Sequence, residues 1–307
     1  TKLSNSPRIY RTFLPYDTKG ASKRFLSFYQ PKAGFILETE LWFNLINQCY
    51  LNNIPLHLIN ARLSKKSLNR YLPFKKFINI GLSQLDSIYG RAKEDVVNFS
   101  ELTKTDIKIM QNIKFDSRPP AGTRKRINKL KKQLKVSNHF ILVAGSTRSG
   151  EEKILLNLVE KLNYKKLILV IVPRHPERFS EVENFFQLQN LPIVRISKLE
   201  KIAKTPKYIL GDTMGDLYEL YGLATLAVIG GSILDYGGQN PIEPMSSNIQ
   251  TAVGPSIYNF KEMVSIAEKQ NAIFRFKNIA ELEKIIKNLI KEGQVNQNIL
   301  KNARQYI

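Results

Sequence analysis

The second half of the 307-residue sequence repeats one pattern four times: an apolar run ends, and a polar or glycine-containing cluster follows. The clusters are GSTRSGEE (145–152), PRHPERF (173–179), GDTMGDL (211–217) and GGSILDYGGQNPIE (230–243). In open α/β sheets, ligands bind outside the carboxyl ends of the strands, so four clusters at equivalent positions point to one cleft. Glycines there let backbone approach a ligand, and a helix starting after Gly237 and Gly238 would offer a phosphate its free N–H groups and dipole. Arg174, directly behind LILVIVP, supplies a planar donor fork for phosphate or carboxylate; a surface ion pair is its other use. Glu243, three residues past Asn240, can accept from two ribose hydroxyls on one helical turn, or serve as a first-turn helix carboxylate. His175 is a candidate base or ligand. With three histidines and one cysteine in the chain, no spaced His/Cys set reads as a zinc site, and no GxxxxGK[ST] loop marks a P-loop kinase. In the first half, Glu38 and Glu40 of LETELWFNLI (37–46) fall at a strand end, where carboxylates either act on a reacting centre or open a helix. Lys114 in NIKFD (112–116) is a candidate cation or a solvated lysine.

These residues need a frame. Residues 34–37 (GFIL) and 54–60 (IPLHLIN) flank a helical stretch from Glu40 to about Asn52, which reads as strand, helix, strand. A second unit comprises a strand at 140–144, a helix from near Ser149 with Glu151 and Glu152 in its first turn, and the strand 167–172. A third runs from a strand at 193–196 through a helix around 214–221 to LAVIGG (226–231). Such alternation predicts an α/β protein with parallel sheets covered by helices. Between the halves, SRPPAGTRKRINKLKKQLKV (117–136) carries a Pro pair and a Gly ahead of a strongly basic helical stretch. The predicted organisation is a first domain over 1–117, a basic linker and helix start over 118–136, and a second domain over 137–307.

Composition bounds the partners. With 43% hydrophobic residues the chain can bury a sizeable core, and its length suits two domains. None of its apolar runs approaches the ~20 residues that cross a bilayer. The single Cys49 cannot form an internal disulfide, and no signal peptide opens the sequence, so a reducing cytoplasmic setting is expected. Cys49 reads as a small core residue. Forty-seven Lys and Arg against 26 Asp and Glu give a net charge of +21, which calls for an anionic partner. Anionic lipid, phosphorylated substrate and nucleic acid all qualify, as does a biased genomic background with no function attached. No nucleic-acid motif is recognisable, so nucleic acid is not the expected partner.

Taken in order, FLPYD (13–17), LETELWFNLI (37–46), NARLSKKS (60–67), NIKFD (112–116), STRSGEE (146–152), VPRHPERF (172–179), GDTMGDL (211–217), LYGLATLAVIGGS (220–232), GGQNPIE (237–243) and GPSIYNFKE (254–262) resemble the 3-deoxy-D-manno-octulosonic acid (Kdo) transferases of lipopolysaccharide synthesis. The resemblance spans essentially the whole chain. It implies a GT-B glycosyltransferase, two Rossmann-like domains facing across a cleft, which moves Kdo from CMP-Kdo to a lipid A precursor (lipid IVA) with inversion. The implied setting is the cytoplasmic face of the bacterial inner membrane, where an anionic membrane surface is a further partner. The first domain would be the acceptor side and the second the CMP-sugar-binding side. By motif, Pro173 and Arg174, then Met214, Gly215 and Asp216, then Asn240, Pro241, Ile242 and Glu243 would contact CMP. Glu38 and Lys114 match residues that stabilise the transition state. No metal and no cofactor beyond the donor substrate are implied.

The family's general base is a Glu in an SVGE-like motif early in the first domain, and no counterpart occurs between Thr1 and Phe13. The expectation is an amino-terminally truncated chain lacking the first strands, the membrane anchor and that Glu, with an incomplete first domain. An inactive fragment or pseudo-transferase keeping only nucleotide binding is the alternative. Arg148 and Gln239 stand where the family commonly has His, and NIQT (248–251) replaces a small residue and a Pro-Val pair.

Overall fold

In the computed structural model, which describes residues 9–110, 118–199, 202–293 and 295–307, every paired strand is parallel to its neighbour. The chain divides into two compact units, Thr1–Asp116 and Ser117–Ile307.

In the first unit α1 (Lys19–Tyr29) precedes β1 (Gly34–Leu37), α2 (Phe43–Leu51), β2 (Leu56–Ala61), α3 (Lys65–Tyr71), α4 (Lys75–Leu82), β3 (Ser87–Gly90), α5 (Lys93–Ser100) and β4 (Ile107–Ile109). The sheet order is β1-β2-β3-β4, and Ile46, Leu58, Leu82, Ile88 and Phe99 close the core against it. The helix expected from Glu40 begins only at Phe43, because its start is held from a distance. Asp17 of FLPYD accepts hydrogen bonds from the backbone N–H of Asn44 (3.1 Å) and Leu45 (2.9 Å), so that motif's carboxylate is a helix cap. Cys49 lies in this core, and burial pushes its thiol up to about 11, which leaves it inert.

The second unit runs α6 (Thr123–Leu134), β5 (Phe140–Thr147), α7 (Glu151–Leu162), β6 (Leu167–Pro173), α8 (Phe179–Gln187), β7 (Ile193–Arg195), β8 (Tyr208–Leu210), α9 (Leu217–Tyr221), β9 (Leu226–Ile229), α10 (Ile242–Ser246), β10 (Gln250–Val253), α11 (Lys261–Lys269), β11 (Phe274–Arg275), α12 (Ile279–Lys291) and α13 (Gln297–Tyr306). Its sheet order is β11-β10-β9-β5-β6-β8-β7. Unbroken apolar runs such as LILVIV arise because both sheet faces are covered. Phe140, Leu142 and Ala144 pack with Leu155 and Val159 of α7 and Ile286 of α12, while Ile141 and Val143 pack on the other face with Leu134, Tyr221 and Leu223. The basic stretch is the helix α6, which turns Ile127, Leu130 and Leu134 to this second core and leaves Arg124, Lys125, Lys129 and Lys132 in solvent.

One expected unit is corrected. Residues 193–196 and 226–231 do not flank a shared helix as neighbouring strands: β7 is the far edge, and β9 lies on the opposite side of β5. The three-residue strand β8 intervenes in the chain, and after α9 the connection crosses back over the sheet. That reversal between β5 and β9 is a topological switch point, where such sheets open a crevice.

Candidate functional site

The four polar clusters follow β5, β6, β8 and β9, which are contiguous in the order β9-β5-β6-β8. At about 4.8 Å between strands they occupy one sheet edge some 14 Å long. The loops are drawn tightly together. The backbone N–H of Arg174 donates to Thr147 O at 3.0 Å, joining the exits of β5 and β6. A Cβ on Gly230 would lie 2.3 Å from Ser146 O, so only glycine lets the loop after β9 pass against that after β5.

Two buried carboxylates wire this edge. Glu151 has no exposed surface and accepts from four backbone amides: Arg148 (2.9 Å) and Gly231 (2.7 Å) on one oxygen, Ile233 (3.0 Å) and Leu234 (3.3 Å) on the other. Burial raises its pKa, and those four bonds oppose the rise. Glu152 accepts from the Thr147 hydroxyl (2.6 Å) and holds Arg178 through both guanidinium ends (2.8 and 3.1 Å). Within the loop after β8, Asp212 binds Arg195 (2.6 Å) and the Ser197 amide (2.8 Å). Desolvation pushes Asp212 up, but the Ser197 and Arg195 bonds outweigh it and hold the carboxyl below its usual value.

Arg174 differs from the cations around it. Its side chain is exposed and makes no hydrogen bond or ion pair with the described residues, whereas Arg178 and Arg195 are locked on carboxylates. Beside it, Arg148 donates to His175 Nε2 and lies 5.1 Å from the centroid of the Tyr236 ring. Met214 (67% exposed) and Gly215 stand out from the loop after β8, ahead of Asp216 at the N-cap of α9. Asn240 donates to Glu243 (3.4 Å), and both are half-buried. Pro173, Pro241 and Ile242 are buried, so they shape the loops rather than present side chains. The helix expected behind Gly237 and Gly238 starts at Ile242 and is five residues long. Glu243 has a further neighbour in Tyr221, whose phenol is raised well above its usual pKa by complete burial and then by the Glu243 charge.

In the first unit, Glu38 follows β1 directly. It is exposed, its amide donates to Ile59 O (3.0 Å), and its φ of 62° puts a non-glycine residue in the left-handed region. Such a conformation costs a non-glycine residue roughly 1–2 kcal/mol. Glu40 instead accepts from the Trp42 indole at 3.1 Å. Lys114 lies outside the described residues. Among the described residues no group of three His, Cys, Asp or Glu side chains is placed to hold a metal ion.

Sequence patterns marked the loops but not the carboxylates that hold them. Glu151 and Glu152 read as first-turn helix acids. Their partners lie up to 83 residues away, beyond any local periodicity.

Comparison with known proteins places the chain. A family model described as 3-Deoxy-D-manno-octulosonic-acid transferase (kdotransferase) matches residues 2–117. The chain is 32% identical to the 3-deoxy-D-manno-octulosonic acid transferase of Haemophilus influenzae over 97% of its own length and 71% of that protein. It is 30% identical to a bifunctional glycosyltransferase/methyltransferase of Fusobacterium nucleatum, of which it spans 47%. Among solved structures, the C-terminal CMP-Kdo binding domain of WaaA from Acinetobacter baumannii superposes with a TM-score of 0.57 at 32% identity, covering 61% of this chain and 98% of that one. The UDP-GlcNAc 2-epimerase of Neisseria meningitidis shares the fold over 93% of this chain and 74% of its own (TM-score 0.56, 14% identity). The fold class is GT-B. From the family match to its first unit, the solved domain alike to its second and a relative at 32% identity along nearly all of it, this chain belongs to the 3-deoxy-D-manno-octulosonic acid transferases, a family of glycosyltransferases.

Proposed function

We propose that the second unit binds CMP-Kdo at the edge formed by the loops after β9, β5, β6 and β8, and that the protein transfers Kdo from it to a lipid A precursor. The observation that carries this reading is Arg174: a cation with no partner among the described residues, on a sheet edge whose nearby buried carboxylates are committed to internal bonds. An anionic leaving group suits that edge. As CMP departs, the phosphate gains negative charge and the sugar gains oxocarbenium character, so catalysis needs a cation for one and a carboxylate for the other. Arg174 serves the phosphate. Met214, Gly215 and Asp216 border the nucleotide on one side, and the segment Asn240–Glu243 provides ribose acceptors on the other. Glu38 takes the oxocarbenium charge, and Lys114 supports the leaving group. No cofactor beyond the donor is part of this scheme.

The acceptor reading draws on a different surface. Leu72, Phe74, Phe77 and Ile80, around and within α4, are between 40% and 66% exposed, and Lys65, Lys66, Lys75 and Lys76 lie in the same stretch. Exposed aromatics among lysines suit the interface of an anionic leaflet. No helix among the described residues is long and apolar enough to cross a membrane. We assign this surface to docking at the cytoplasmic face of the inner membrane, where the acceptor would be embedded. The experiment is an assay of the purified protein with CMP-Kdo and tetraacyl lipid A precursor on anionic vesicles. Transfer of Kdo is expected from the protein that carries the family's SVGE-like general base, and very slow transfer or none from these 307 residues, which hold no counterpart of that Glu. Absence of lipid product with that Glu present would leave only the nucleotide half of the proposal standing.

A further inference from the structure

The second unit has a cavity at the other end of its sheet. It measures about 500 Å³ and lies against the amino-terminal ends of β5, β9 and β10, within the size range of small-molecule sites. The eight residues of β5 put it roughly 26 Å from the loops that hold Arg174. Val136, Ile141, Leu223, Ala224, Ile249 and Leu300 give it an apolar floor. Its polar wall is Lys131, Ser137, His139, Thr225, Asn248 and Gln250.

Part of that wall is structural. Thr225 Oγ1 accepts from the Ile141 amide (3.1 Å), and Gln250 bridges Thr225 O (2.8 Å) and the Asn296 amide (2.6 Å). Other groups are uncommitted. His139 Nδ1 is buried with no hydrogen-bond partner, a state that costs about 1–3 kcal/mol and calls for an explanation. The Lys131 ammonium forms no ion pair with the described residues, and among them no Asp or Glu lines the cavity to neutralise it. The negative end of α6 is covered as well, since the Lys135 and Val136 amides bond to the Lys131 and Lys132 carbonyls.

We propose that this cavity is a second small-molecule site, separate from the nucleotide loops, for an organic anion with an apolar body. The body rests on Leu223, Ile249 and Leu300, and the single anionic head group pairs with Lys131 beside the His139 ring. Only three histidines occur in the chain, so the site can be watched directly by NMR. The probe is 8-anilinonaphthalene-1-sulfonate, an aromatic body with one sulfonate, titrated into the full chain with saturating CMP present. The His139 ring resonances, assigned with His139→Gln, should shift while those of His57 and His175 hold. Lys131→Met should weaken the probe by about ten-fold or more, the usual loss for a charge-assisted bond. The uncharged N-phenyl-1-naphthylamine should bind the wild type with a similar deficit. Ala224→Trp, which fills the floor, should abolish the His139 shift with an unchanged CD spectrum. Unmoved His139 resonances at millimolar probe, or equal affinities for wild type and Lys131→Met, would overturn the site even if Ala224→Trp fails to fold.

Discussion

Strands β5 and β1 lead into the same kind of backbone and put it to opposite uses. Ser146 near the end of β5 and Glu38 after β1 are both non-glycine residues in the left-handed region, with φ of 59° and 62°. Around Ser146 everything is enclosed: Gly230 presses against its carbonyl, and the four-amide carboxylate of Glu151 ties its loop to the loop after β9. Around Glu38 the backbone is anchored by one bond to Ile59, and the carboxylate is left in solvent. The second unit spends its carboxylates on holding loops and presents a cation. The first presents a carboxylate. A charged group's sequence neighbourhood is similar in both cases, and its burial and partners decide whether it builds the site or acts in it.

The strongest way to break that distinction is to remove the builder. Glu151→Ala leaves four amides without an acceptor, that of Gly231 buried and those of Arg148, Ile233 and Leu234 part-buried, and is expected to destabilise the second unit by about 2–4 kcal/mol. Trp42, the sole tryptophan, lies in the first unit, so its fluorescence reports that unit while far-UV CD reports both. Urea titration should show the CD transition moved to lower urea and the Trp42 transition in place. A loss below about 1 kcal/mol would mean that water or neighbouring residues satisfy those amides and that Glu151 is not the tie.

Arg174→Ala tests the opposite case, a group with function and no structural duty. Calorimetry should show CMP binding weakened by about ten- to a hundred-fold, the consequence of losing one charge-assisted bond worth roughly 1.5–3 kcal/mol. Stability should stay within about 0.5 kcal/mol of wild type, as for an exposed residue without partners. Equal CMP affinity in both proteins would remove Arg174 from the site.

Asp212 sharpens the contrast through pH. Its folded pKa lies below the ordinary 3.8, so the carboxylate contributes stability above about pH 3.8 that is lost as pH falls through the lowered value. Asp212→Asn has no such carboxylate to titrate. Its stability measured from pH 5 to pH 2.5 should decline less steeply than that of the wild type, by a smaller margin than either effect above. Parallel curves would show that Arg195 and Ser197 do not hold the charge.

How far the sequence disclosed these features depends on the range of the interaction. LILVIV could be read as a doubly covered strand because burial on both faces is written in consecutive residues. The polar clusters could be placed at strand ends for the same reason, and their arrival on four contiguous strands follows from the sheet order. That order itself was not legible. Residues 193–196 and 226–231 look like neighbours along the chain, but the three residues of β8 and the return across β5 separate them. Asp17 capping α2 from 27 and 28 residues away and Glu151 reaching Gly231, Ile233 and Leu234 are likewise contacts that only tertiary structure creates. The ten ordered motifs carried the family because each is local. Which of their polar residues were already satisfied by the protein had to come from the fold.

The smallest expected change in stability is the most specific to the comparison. If the left-handed backbone at Glu38 is held for the sake of its carboxylate, replacing it with the residue that tolerates that backbone should relieve strain and forfeit function together. Glu38→Gly removes the Cβ that disfavours φ of 62°, and its gain is reduced by the greater freedom of glycine in the unfolded chain. The net expectation is a stabilisation on the order of 0.5 kcal/mol, read as a rise in the urea midpoint of the Trp42 transition. Kdo transfer, read in the protein that carries the general base, should fall by about 10²–10³-fold, the usual result of deleting one electrostatic stabiliser of a transition state. Glu38→Gln keeps the Cβ and the strain, so it should lose the rate and gain no stability. An ordinary surface glutamate would give neither the opposed signs in Glu38→Gly nor the separation between the two variants. Unchanged transfer in Glu38→Gln would show that the carboxylate plays no part in the reaction.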